Sequence, residues 1–150
     1  MIQLKYPEKN PLLRMQDGRE EIFCRSRKKW FVLTPEEWVR QNFLNYLEWV
    51  CGYPLSLIAI ERQIKVGELN KRFDLVVFDP SGSPQIVVEC KEMDVELTEE
   101  VLSQVLRYNM VLRAPVALIT NGRQCLAISF QGNRSEEHTS ELQSRFGISY

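Results

Sequence analysis

The sequence predicts one α/β domain, a mixed central sheet with helices covering its faces. Three observations carry that prediction. Two segments have helix caps and amphipathic stripes, several short runs are rich in β-branched residues and bounded by turn signals, and the two kinds follow one another as helix, three strands, helix, two strands. A chain of 150 residues is the size of a single domain with one real core.

The first 30 residues form an N-terminal arm or hairpin, with a turn at Gln16-Asp17-Gly18 between Leu12-Leu13 and Ile22-Phe23. A basic cluster follows, Arg25-Ser26-Arg27-Lys28-Lys29, bounded by Phe23 and Trp30-Phe31. It reads equally as a phosphate-contacting segment or a solvated loop. The main domain is expected over 31–133. Thr34-Pro35-Glu36-Glu37 is a strong helix start: Thr34 is an N-cap, Pro35 suits the first helical position, and Glu37 completes a capping box. Val39, Phe43, Tyr46-Leu47 and Val50 then make one stripe, ending near Gly52. Strands are expected at 57–66 and 72–78, then, past the turn cluster Asp79-Pro80-Ser81-Gly82-Ser83-Pro84, at 85–91. The second helix starts at Thr98 as N-cap, with Glu99-Glu100 in the first turn, and runs to Leu112. Strands at 116–120 and 125–130 flank a turn at Asn121-Gly122.

Composition excludes several classes. Hydrophobic residues at 44% and charged residues at 26% are ordinary for a globular domain. The longest apolar runs, 75–78 and 116–119, are too short to span a membrane. The start, Met1-Ile2-Gln3-Leu4-Lys5-Tyr6-Pro7, lacks the apolar centre of a signal peptide, so cytoplasm is the expected compartment. Cys24, Cys51, Cys90 and Cys125 have no Cys-x-x-Cys spacing; reduced, buried thiols are expected, and a zinc site is not.

Residues 134–150 look like the in-frame translation of a common short-read sequencing adapter. Its codons give residues 134–144, an index covers 145–147, and Ile148-Ser149-Tyr150 resume it. We treat the segment as a non-native, disordered tail. It carries two of the 19 basic and three of the 20 acidic residues, which leaves the rest net neutral. It also carries His138, the single histidine, so no mechanism that needs a catalytic histidine remains. With the natural end replaced, the last strand is expected to lack a neighbour.

The chemistry centres on the hairpin around residues 80–83. Symmetric closure pairs Asp79 with Pro84 and sets Asp74 opposite Glu89, with Cβ atoms about 4.5–5.5 Å apart. Two carboxylates that close repel, and a bound divalent cation resolves the conflict. Glu89 and Lys91 are two apart on one strand and share a face. Mg²⁺, for which Mn²⁺ substitutes, takes oxygen ligands and activates water for phosphodiester hydrolysis. Lys91 would orient that water, act as its base or stabilise developing charge; the Cys90 backbone carbonyl is a further candidate ligand. Gln104 lies in the stripe Val101, Val105, Tyr108 and Leu112 of the second helix, where it needs a polar partner such as a metal-bound water, a phosphate or Lys91. Glu37 has two readings, a capping-box acid or a further metal-binding acid.

These residues resemble the PD-(D/E)xK nuclease superfamily and, more narrowly, the N-terminal nuclease domain of type I restriction endonuclease R subunits. The motifs are Leu33-Thr34-Pro35-Glu36-Glu37-Trp38-Val39-Arg40-Gln41, Lys71-Arg72-Phe73-Asp74-Leu75-Val76, Val88-Glu89-Cys90-Lys91, Gln104-Val105-Leu106-Arg107-Tyr108-Asn109 and Thr120-Asn121-Gly122. The resemblance implies a restriction-endonuclease-like core of helix, three-stranded meander, helix and strand. It makes Asp74 and Glu89 the metal-binding acids, Lys91 the catalytic lysine, Gln104 and Tyr108 the Q-x-x-x-Y pair, and Glu37 the acid of the first helix. The motor and translocase domains of an R subunit are absent from this sequence, which implies a free-standing relative or a fragment. A metal-dependent DNA endonuclease module is therefore expected, with phosphate contacts from Lys71, Arg72 and Arg107, a helicase, translocase or restriction–modification partner, and a homodimer as one arrangement. The alternative is a catalytically silent nucleic-acid-binding or assembly module that keeps the fold.

Overall fold

The computed structural model describes residues 1–130, apart from the side chains of Ile64, Val66 and Leu69. The tail expected at 134–150 lies outside the described residues. Nine strands and two α-helices follow in order: β1 (Ile2–Gln3), β2 (Leu13–Gln16), β3 (Arg19–Cys24), β4 (Lys29–Val32), α1 (Pro35–Asn45), β5 (Ile58–Val66), β6 (Leu69–Phe78), β7 (Pro84–Cys90), α2 (Glu99–Leu112), β8 (Val116–Thr120) and β9 (Gln124–Ser129). Six strands make a mixed sheet in the order β1-β9-β8-β7-β6-β5, and β2-β3-β4 make a small second sheet. Only the β7–β8 pair of the large sheet is parallel, with α2 as its crossover.

The two helices cover opposite faces. Phe43, Leu44, Tyr46 and Leu47 pack with Leu75, Val77, Val88, Cys90 and Leu118 in one core. Leu102 and Val105 pack with Phe73, Val76, Val87, Ala117 and Ile119 in the other. All five residues of β8 are buried, as expected of a strand covered on both sides. Helix α1 starts as its sequence dictates, with Thr34 Oγ1 accepting from Glu37 N–H at 3.0 Å and Pro35 in the first turn. It continues through a π-helical turn, Tyr46–Val50, and the chain leaves it at Gly52, φ +80°. Among the described residues no helix is long and apolar enough to cross a membrane.

Two details differ from the sequence expectation. The last strand has a neighbour: β1 pairs with β9 through Ile2↔Cys125 and Gln3↔Gln124, so the chain's own beginning closes that edge. Strand β6 also begins earlier than 72, at Leu69, because β5 and β6 form a long hairpin whose ladder reaches Val66↔Leu69. In the small sheet β4 straddles residue 30, and Cys24 and Phe31 join the α1-side core.

The turn from β8 to β9 fixes the end of the sheet where the candidate site lies. Asn121 Oδ1 accepts from Arg123 and Gln124 N–H at 3.0 Å each, and its amide donates to Val95 O at 2.9 Å. Gly122 follows with φ +88°, and a Cβ placed there would meet Val39 Cγ2 at 3.2 Å. Gly122→Ala is therefore expected to destabilise the fold by about 1–3 kcal/mol, from the positive φ together with a shift of Val39. Urea unfolding followed by circular dichroism measures it; a change within 0.5 kcal/mol, roughly the scatter of surface substitutions, would contradict this packing.

Candidate active site

The ladder between β6 and β7 runs Val77↔Ile86, Val76↔Val87, Leu75↔Val88 and stops there. The hairpin does not close on Asp79↔Pro84 as expected: Phe78 pairs with Pro84, and a bulge at Gln85 restores the register. Asp79 instead organises the turn, its Oδ1 accepting from Ser81 and Ser83 N–H at 2.9 Å each. Asp74 and Glu89 follow the last ladder pair, Leu75↔Val88, one on each strand, and are not themselves paired. Asp74 Oδ2 accepts the Cys90 N–H at 2.8 Å, so a side chain replaces the backbone acceptor and the sheet parts at this point.

On its other side Asp74 again leaves the ladder. Ile60↔Leu75 and Arg62↔Phe73 pair around it, and the intervening Glu61 has φ +53°, a left-handed conformation unusual for a non-glycine residue. Asp74 is therefore freed from both neighbours and available to α1. Arg40 fills that role: its Nε and Nη2 donate to Asp74 Oδ1 at 3.0 and 2.7 Å. Its Nη1 donates to Glu37 Oε2, and Glu61 Oε1 lies 3.6 Å away. Arg27 completes the group, donating to Glu37 Oε1 and lying 3.4 Å from Glu61 Oε2.

Glu89 has a different environment. It is buried, and among the described residues Lys71 Nζ at 3.7 Å and Lys91 Nζ at 3.9 Å are the cations near its Oε1. Oε2 is buried with no hydrogen-bond partner. Burial, and then repulsion from Asp74, push its carboxyl up to about 7; Lys71 and Lys91 pull in the opposite direction. Lys71 also lies over the Tyr108 ring, 4.8 Å from its centroid, which brings α2 to the site.

The expected residues thus separate. Asp74, Glu89, Lys91, Lys71 and Tyr108 converge, with Cys90 between them in the chain. Glu37 does not close a capping box: its backbone takes the cap, while its side chain turns inward to Arg27 and Arg40. Gln104 is exposed; the buried face of α2 is Leu102, Val105 and Asn109, which corrects its placement in the apolar stripe. Arg107 is exposed, and Arg72 is half-exposed with Glu61 Oε2 at 3.6 Å. Within the basic cluster Arg25 pairs with Glu48 at 2.8 Å and Arg27 with Glu37, while Lys28 and Lys29 are exposed. Sequence reasoning missed Arg40 and Glu61. Arg40 carried a signal, a charge beside Val39 and three before Phe43 on an apolar helix face; Glu61 carried none, because its role comes from its backbone conformation.

A pair of carboxylates at a parted sheet end, one with an unpartnered buried oxygen, fits a hard divalent cation. Among the described residues no group of three or more His, Cys, Asp and Glu side chains is assembled for a metal. The remaining ligands would have to be backbone, water or substrate oxygens, as is usual for Mg²⁺. The fold is that of a restriction-endonuclease-like α/β domain. The family described as type I restriction enzyme R protein N terminus matches residues 35–143, and the chain belongs to it. No curated protein matches the chain.

The electrostatics of Glu89 give a prediction with a definite sign. Its folded-state pKa lies above the unfolded value of 4.5, so its contribution to stability is full below that value and is lost as pH rises through about 7. Glu89→Gln, neutral at every pH, avoids that loss. In chelator-treated buffer at pH 8 the variant should be more stable than the parent by up to ~3 kcal/mol, with the gap under about 1 kcal/mol at pH 5. Thermal melts across that range test it; a parent as stable as the variant at pH 8 would show that Glu89 is relieved some other way.

Proposed function

We propose that this chain is a metal-dependent nuclease module that hydrolyses DNA phosphodiester bonds. The observation that carries the reading is Glu89: a buried carboxylate with one oxygen unpartnered, within electrostatic reach of Asp74 and flanked by two lysines. Family membership supports it.

In this reading Asp74 and Glu89, with the Cys90 backbone carbonyl, hold Mg²⁺ or Mn²⁺. The ion supplies polarisation of the scissile phosphate and a more acidic bound water. Lys91, at the end of β7 and half-buried, orients the attacking water and stabilises negative charge on the phosphate oxygens. Tyr108 and Gln104 on α2 position the phosphate, Gln104 from its exposed side of the helix. Lys71 keeps its ammonium between Glu89 and the Tyr108 ring, and Arg72 and Arg107 contact backbone phosphates, which position DNA without reading its sequence. Restriction–modification is the proposed setting in the cytoplasm, with a translocase partner, and a second copy of the chain is the arrangement that would cut both strands.

One observation favours the silent alternative. Asp74 and Glu37 already have arginines as counter-ions, so two of the three expected acids are neutralised within the protein. Cleavage assays separate the readings. The full chain with Mg²⁺ or Mn²⁺ is expected to cut plasmid or single-stranded DNA, and Lys91→Ala and Glu89→Gln to lower the rate by at least about 10²-fold. Cleavage that survives Lys91→Ala comes from a contaminant, and no cleavage together with no metal binding by the parent leaves the binding module.

A further inference from the structure

Arg40 is a buried cation whose planar fork is divided between two acids. Nε and Nη2 donate to Asp74 Oδ1, and Nη1 donates to Glu37 Oε2. Its side chain is only 11% exposed, and Glu36 Oε1 at 3.8 Å and Glu61 Oε1 at 3.6 Å are its further neighbours. A guanidinium keeps its charge at any pH a protein survives. A dication taking Asp74 Oδ1 therefore meets both a competitor for the oxygen lone pairs and a fixed positive charge at hydrogen-bond distance. Glu37 is built to receive that charge. It is buried, it already binds Arg40, and Arg27 and Gln41 hold its other oxygen in place.

We infer that Arg40 competes with a divalent cation for Asp74, and that Glu37 retains Arg40 when the cation takes Asp74, so this pair sets the cation affinity of the site. The inference rests on reading Asp74 and Glu89 as the cation's ligands. Glu37 then acts on the cation through Arg40 and is a positioning residue, not a ligand. The same arrangement accounts for how the fold tolerates Asp74 at a parted sheet end: Arg40 neutralises it from α1 while Cys90 N–H fixes its orientation.

Calorimetric titration of the full chain with Mn²⁺ tests the exchange without relying on activity. Arg40→Met is expected to bind Mn²⁺ about tenfold tighter than the parent, as removal of one close cation would give. Glu37→Gln leaves Asp74 as the acid hydrogen-bonded to Arg40, with Glu61 and Glu36 farther off at 3.6 and 3.8 Å, and is expected to bind several-fold weaker. In the double variant the Glu37→Gln effect should disappear, because its route is gone. If Arg40→Met does not fold, Arg40→Gln carries the same expectation. Unchanged or weaker binding on removing the guanidinium overturns the inference, as does a Glu37→Gln loss that persists in the double variant. Loss of parent binding in Glu89→Gln supports the metal site whatever the Arg40 variants do; if neither parent nor Arg40→Met binds Mn²⁺, both readings fall.

Discussion

The contact on which this site depends is the one between Asp74 and Arg40. A carboxylate in a sheet interior is tolerated only when its charge is compensated and its oxygens are satisfied. Here two Arg40 N–H groups and the Cys90 N–H supply both. The arrangement has a consequence for the backbone. Asp74 takes an N–H that would otherwise belong to the β6–β7 ladder, and Glu61 across the other edge turns to φ +53°. The sheet therefore opens around one residue, while both carboxylates stay buried beside the opening.

The two acids at the opening are treated differently by the fold. Asp74 is satisfied from the α1 side. Glu89 pairs in register with Ile119, whose side chain belongs to the α2-side core, and the groups nearest its carboxylate are Lys71 and Lys91 at distances too long for hydrogen bonds. A buried carboxylate left with one bare oxygen is a local conflict that sheet packing alone would not retain. Perturbed groups of this kind concentrate at functional sites. The satisfied acid gives this end of the sheet a fixed geometry, and the unsatisfied one is what the proposed cation would relieve.

Much of this was legible in the sequence, because it follows from local rules. Thr34-Pro35 and Thr98 placed the two helix starts, and strand periodicity with the Asp79–Pro84 turn set the register of Leu75↔Val88, the pair next to Asp74 and Glu89. The register survived although the turn itself was wrong: the bulge at Gln85 compensated for the shifted closing pair. What escaped was whatever depends on tertiary context. Glu37 read equally as a capping-box acid and as a metal-binding acid; Arg27, distant in sequence, and Arg40, on the next turn, take its side chain in place of the cap's backbone N–H. At about 100° per residue Gln104 lies well round α2 from Leu102, Val105 and Asn109, and of the expected stripe Val105 alone is buried while Val101, Tyr108 and Leu112 are half-buried at its edge. Arg40 was within reach, since the argument applied to Gln104, a polar group on an apolar helix face, applies with more force to a guanidinium.

The small N-terminal sheet belongs to this electrostatic group as well. The family match begins at residue 35, yet Arg27, between β3 and β4, binds Glu37 and approaches Glu61. Its guanidinium also lies 3.5 Å from the Phe31 ring centroid, and the neighbouring Arg25 stacks on Trp49 while pairing with Glu48 at the end of the first helix. Those contacts fix the helix that carries Glu37 and Arg40 against the segment before it. With Arg27 present, Glu37 has one oxygen for it and one for Arg40; without it, Glu37 would be a stronger partner for Arg40 and would draw it from Asp74. Residues before the matched span thus tune how firmly Asp74 is held, and the site's electrostatic balance is a property of residues 27–91 together, not of the hairpin that first suggested it.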